Sequence, residues 1–304
     1  MTLGDLVAWA SDKARFTSLS DYIEFAERFL DFKETGLQAT IVSQTEANYR
    51  FLQYKADGHF NITRPINADL IYERDGAAQK HDAFLQTLRS LRDLGDDAAE
   101  RRRNLIAVIY TAQQSIGATL DALPSGQSNK ARKLNGDLFE RFIQLILQEM
   151  GVACASGTVK VPVTVDGQVA FKMNYQHDLL IKNAEQLKVI GSVKTSSKDR
   201  IDKILLDKFL YNKLTGTALP HIAIFLNDVQ RKAARRENEY GISATFLPGH
   251  FKGFTVNLNP LDGVYYCDIR PNMRTDPMLR ASIKTIDHLL CEDIWDLLGR
   301  GSRP

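Results

Sequence analysis

Asp178 and Lys194 lie at the two ends of HDLLIKNAEQLKVIGSVK, a stretch that reads as two strands joined by a tight turn. With the turn centred on Gln186, both residues are eight positions from the centre, so antiparallel pairing sets them directly opposite each other. On that register Asp178, Leu180 and Lys182 face one way and His177, Leu179 and Ile181 the other. A carboxylate is a hard oxygen ligand for Mg2+, and a lysine is a movable point charge. Together they suit hydrolysis of a phosphodiester, where a divalent cation polarises the phosphate and a fixed positive charge meets the negative charge of the transition state. One carboxylate is rarely enough, and two more acids are placed to help. Asp207 falls on the helix after Lys194, on the same side as Arg200, and Glu140 falls among Phe139, Phe142, Ile143 and Ile146, where a lone carboxylate is costly.

Each of these residues has a plainer reading. Asp178 and Lys194 could form a cross-strand ion pair, Asp207 an i,i+4 pair with Lys203, and Glu140 a helix-surface pair with Lys133 or near Arg141. His177 adjoins Asp178 but points to the other face, which fits a packed side chain better than a general base. The junction KTSSKDR crowds Lys194, Lys198, Asp199 and Arg200 where a strand meets a helix. A second basic run, NDVQRKAARRENEYG, holds Arg231, Lys232, Arg235 and Arg236, and reads either as a solvated helix face or as contacts to phosphates; ERRRN at 100–104 is a weaker case of the same kind.

The elements that must position these groups follow from periodicity. Residues 1–120 read as mainly helical, with apolar spacing over Leu3–Ala10 and, after Ser20 as N-cap, over Tyr22–Leu30. Extended segments are expected at NYRFLQYKA and ADLIYER, and two long helices follow, the first closed by Gly95. PSGQSNKARK, 124–133, reads as a linker, which makes 121–304 the catalytic half. There a helix leads into strands at TVKVPVTV, QVAFKM, HDLLI and LKVIGSVK. A helix over Ile201–Leu214 follows, then strands at HIAIFLN, ISATFL, FTVNL and GVYYCDI, and C-terminal helices. This order predicts an α/β fold, a mixed sheet flanked by helices.

Composition narrows the function classes. The chain has 304 residues, 44% hydrophobic and 25% charged, which is ordinary for a globular protein. Its formal net charge of +2 names no partner, so any attraction for nucleic acid must come from local clusters. Three scattered cysteines without a CxxC pair argue against a zinc site or a disulfide framework and fit a reducing, intracellular setting. No signal sequence and no run of about eighteen apolar residues is found. HExxH, P-loop, dinucleotide and GxSxG motifs are absent, which removes support for zinc hydrolysis, nucleotide triphosphate use and serine catalysis.

From about Leu134 to Leu214, "D…SVKTSSKDRIDKILLD" and the order of helix, hairpin, charged junction and helix around it resemble the PD-(D/E)XK nucleases. More narrowly they resemble the EcoRII-type catalytic domain and its relatives among Type II restriction endonucleases that read CCGG- or CCNGG-like sites. In that subgroup a small residue replaces the second acid of the motif and an acid one helix further on stands in for it. Ser192 and Asp207 match those positions, with aspartate where the subgroup has glutamate and no proline before Asp178. The resemblance implies Mg2+-dependent cutting of double-stranded DNA, with Asp178, Asp207 and Glu140 as metal ligands and Lys194 orienting water. It also implies that Lys198 and Arg200 read guanine and Asp199 cytosine, at roughly 1–3 kcal/mol of discrimination per bidentate contact. Arg231 and Arg235 would touch phosphates, and a symmetric site implies at least a homodimer. Alternatives within reach are a structure-selective nuclease of the same fold, or a DNA-binding regulator that does not cut.

Overall fold

The structure, a computed structural model, describes residues 1–56, 59–91, 98–198, 200–232, 236 and 239–299, without the side chains of residues 56, 59, 60 and 125. It divides into two compact units, one of residues 1–145 with 228–245, the other of residues 146–227 with 246–304.

In the first unit, helices α1 (Leu3–Ser11), α2 (Leu19–Gly36) and α3 (Ala77–Arg89) pack on α4 (Ala98–Leu120). Every residue of α4 from Ile109 to Leu120 is buried, so this stretch lacks a solvent stripe and several of its polar side chains bond inside the protein. The amide of Gln113, for example, donates to Asn135 of α5 (Ser128–Glu149) at 2.9 Å. The Tyr22 hydroxyl donates to the Leu138 carbonyl at 2.8 Å while its ring stacks on Phe142. Strands β1 (Ala39–Val42), β2 (Tyr49–Ala56), β3 (His59–Ile62) and β4 (Ile66–Asn67) form a small antiparallel sheet on this side of the chain.

The second unit is built on a six-stranded sheet. Its members are β5 (Ala153–Val165), β6 (Gln168–Asn183), β7 (Gln186–Ser196), β8 (His221–Asn227), β11 (Gly263–Tyr266) and β12 (Ile283–Thr285), in the order β12-β11-β8-β7-β6-β5. The β5–β6–β7 part is antiparallel and the β7–β8–β11–β12 part parallel. The parallel part is the buried one, and all seven residues of β8 are inside. β5 forms the open edge. Its hairpin with β6 turns on Asp166 and Gly167, both with positive φ, and leaves Val165, Val169 and Phe171 in solvent. The remaining strands β9 (Val229–Lys232) and β10 (Gly241–Ala244) make a ribbon belonging to the first unit.

Helix α6 (Ile201–Thr215) buries Ile201, Ile204, Leu205, Lys208 and Tyr211 along one face, packs against Ala223, Phe225, Tyr175 and Ile190, and ends on Gly216 in the left-handed region. Asp202 in its first turn and Lys213 in its last complement the helix dipole.

Several sequence expectations are corrected. The stretch 124–133 is no linker: it is a short 3-10 turn, Ser125–Gln127, followed by the start of α5. The division between units falls inside α5, because that helix continues through the change in composition. The N-cap of α2 is Ser18, closed by a capping box with Asp21. ADLIYER holds no strand, and FTVNL, up to its Asn257, lies in α7 (Pro248–Asn257), which buries Phe251. Arg231 and Lys232 sit on a strand rather than a helix face. Gly95, expected to close a helix, lies outside the described residues. No described helix is long and apolar enough to cross a membrane.

Candidate active site

The structure brings Asp178 and Lys194 together. The Lys194 ammonium donates to Oδ2 of Asp178 at 2.5 Å, and the same oxygen accepts the Val193 N–H at 2.8 Å. Both side chains keep a path to solvent, at 17% exposure for Asp178 and 29% for Lys194.

The register that achieves this differs from the one expected. The β6–β7 turn is the pair Ala184–Glu185, both at positive φ, with Asn183 facing Gln186, and a further shift follows at Ile181/Lys182. Leu179 therefore pairs with Gly191 and Leu180 with Ile190, which places Asp178 beside Ser192 instead of Lys194. Lys194 reaches across the diagonal. A bulge makes this possible: Ala155 pairs with Leu180 and Gly157 with His177, so Asp178 and Leu179 together face only Ser156. Such bulges re-aim side chains, and the glycine inside a strand pattern was the available signal for it. The simple alternation of faces breaks here, since Leu180 packs in the cluster that holds Tyr175.

The other expected residues are placed as follows. Asp207 projects from α6 and is held by Lys203 in an i,i+4 ion pair. Its charge and that of Asp178 pull the His177 pKa upward, but burial wins and holds His177 below its ordinary value. Glu140 is a half-buried residue of α5 in the first unit. Among the described residues no group of three or more His, Cys, Asp or Glu side chains is arranged to hold a metal ion. Lys198 and Arg200 are exposed at the junction, where their backbone N–H groups donate to Ser196 Oγ and the Ser197 carbonyl. Arg231 is exposed on β9 and donates to the Ile62 carbonyl at 2.9 Å. Asp199 and Arg235 lie outside the described residues.

A fold that joins an antiparallel hairpin to a parallel β-strand-helix-strand unit, with an acid and a lysine at the join, can be compared as a whole. The crystal structure of the Type IIP restriction endonuclease Kpn2I superposes on this chain with a TM-score of 0.70, covering 99% of each chain at 18% identity. The fold is that of a restriction endonuclease. No family model matches the sequence, and no curated protein does. The restriction-endonuclease fold is thus carried by a sequence only 18% identical to that of Kpn2I.

Behind the hairpin, His177 and His221 meet edge to face with Tyr175 and Tyr211 nearby, all in one aromatic cluster. His177 is packed there, as expected. The ring Nδ1–H of His221 donates to the Leu219 carbonyl at 2.9 Å. Burial, with Lys208 and His177 adding to it and Leu219 and Asp262 opposing, lowers the His221 pKa to about 4. An unfolded histidine takes up its proton near pH 6.5, so this residue's contribution to stability is complete above that pH and is lost as pH falls toward 4. The loss amounts to about 3 kcal/mol. Urea unfolding at pH 7 and pH 4.5 should show that decline in the native chain and a flatter dependence in His221→Gln.

Proposed function

We propose that the chain is a Mg2+-dependent Type II restriction endonuclease that hydrolyses both strands of double-stranded DNA at a short G·C-containing site. The observation that carries this reading is the Asp178–Lys194 contact, which sits on a restriction-endonuclease fold with both groups open to solvent.

The donor chemistry fits the ion. Mg2+ keeps several waters and binds through one or two carboxylates together with substrate phosphate, so it needs no cage of three protein ligands. Asp178 would hold it, together with Asp207 once that acid is released from Lys203. When bound, Mg2+ supplies Lewis-acid polarisation of the scissile phosphate. Lys194 does the rest of the electrostatic work: a phosphate oxygen competes with Asp178 for its ammonium, which then orients the attacking water and steadies the charge that gathers on phosphorus. Lys198, Asp199 and Arg200 would read base edges in the major groove, and Arg231 and Arg235 would contact phosphates. Two-fold symmetry of the site calls for at least a homodimer.

A second reading is favoured by the Lys203–Asp207 pair, which engages the acid expected to be a metal ligand: a DNA-binding regulator of the same fold that does not cut. Incubation of unmethylated plasmid with the protein decides between them. Discrete fragments with one common end sequence in Mg2+, and none with a chelator, are expected. Site-specific binding with intact plasmid under every divalent ion would leave the regulator.

A further inference from the structure

The first unit contains an open cavity of about 800 Å3. Its walls carry four cations and one acid: Arg64, Arg132, Arg231, Lys232 and Asp121, with the Tyr240 ring beside them. The acid is already committed. Asp121 accepts the Arg64 guanidinium through both oxygens, at 2.7 and 2.9 Å, and the Arg64 backbone N–H at 2.7 Å. Arg64 is held against Gly117, where a Cβ would collide with the guanidinium. Arg64 and Asp121 thus form a neutral wall. Arg132 on α5 and Arg231 and Lys232 on β9 are exposed, and among the described residues none of the three makes an ion pair. Three like charges around one cavity repel each other unless an anion joins them.

We propose that this cavity is a second DNA contact, in which Arg132, Arg231 and Lys232 bind backbone phosphates without reading sequence. The proposal rests on the nuclease reading. A sequestered small ligand would be enclosed over most of its surface. These cations instead stand in the open on a helix and a strand, as contacts to a polyanion do. Arg231 is pre-positioned by its bond to the Ile62 carbonyl, and Tyr240, braced on the Phe51 ring, gives the cavity a rigid side.

The test measures binding of the full chain to labelled duplexes in chelator, over a range of salt concentrations. Arg132→Ala/Lys232→Ala removes two exposed side chains and is expected to fold normally. Arg231→Gln is the third step, and thermal melting checks each variant. Each lost phosphate contact lowers the slope of log affinity against log salt by about 0.9, so the double variant should lose about 2 from it. Affinity should fall at least about tenfold, equally for duplexes of unrelated sequence. An unchanged slope in a folded double variant overturns the proposal. So does protection of the native chain from thermal unfolding by thymidine monophosphate that the variant loses with no change in slope, since that identifies a small-ligand site. If the native chain binds no duplex at all, the nuclease reading falls with it. If it binds and the slope holds, only the cavity assignment fails.

Discussion

Lys194→Ala is expected to reduce DNA cleavage by at least about 10³-fold while site-specific binding in Ca2+ or chelator stays within about threefold of the native chain. The reason is positional. The ammonium lies 2.5 Å from Asp178 near the end of β7, and its side chain is 29% exposed. Removing it takes away charge needed only as the reaction proceeds. Lys194→Arg keeps the charge but spreads it over a planar fork too large for the same spot, and should recover little. Cleavage time courses and gel-shift titrations on one duplex, with circular dichroism to verify folding, separate the outcomes. Equal loss of cutting and binding would make Lys194 a DNA anchor, and cutting near the native rate would remove it from the reaction.

The largest expected effect on stability is at Asp262. Lys208 is the one charged side chain on the packing face of α6, and its ammonium, almost wholly buried, is neutralised by Asp262 at 2.7 Å and accepted by the Pro260 carbonyl. Asp262 also accepts the His221 N–H at 2.6 Å, which fixes the start of β8. Asp262→Ala leaves a buried charge without its counter-ion and should cost about 3 kcal/mol, near the lower end for broken buried pairs because Asp262 itself is partly exposed. Adding Lys208→Met should restore most of that loss, since the methionine fills the space of the aliphatic stem. Chemical denaturation of the two single variants and the double variant forms the cycle. Independent, additive costs would mean that the ammonium is not the source.

Much of the second unit was legible in the sequence because its signals are local. HIAIFLN is an uninterrupted apolar run, and it became the fully buried strand β8. Ile201, Ile204 and Leu205 gave the helix that follows the charged junction. The convergence of Asp178 and Lys194 was foreseen, but for a reason that the structure amends. Counting from Gln186 cannot register a turn at Ala184–Glu185 or a bulge beside Gly157, and the two displacements are absorbed by the length of a lysine side chain. The buried Lys208 was not foreseen, because a lysine on an apolar face has no sequence signature of its partner fifty-four residues away. FTVNL failed since β-branched and aromatic residues imitate a strand over five positions, whereas Pro248 at the first turn of α7 sets a helix. The strands of the first unit are short, and β9 and β10 join it from far along the chain. Periodicity within a window carries no information about such a return.

The β5–β6 ribbon has a consequence for how this polypeptide can be rebuilt. Its tip, Asp166–Gly167, stands in solvent, while the strands leading away from it are paired with each other except at the bulges beside Ser156 and Ala170. The chain can accordingly be opened there, or made to carry a foreign domain, without a buried backbone group losing its partner. It is the natural seam for a two-piece version whose halves are produced apart and brought together on demand.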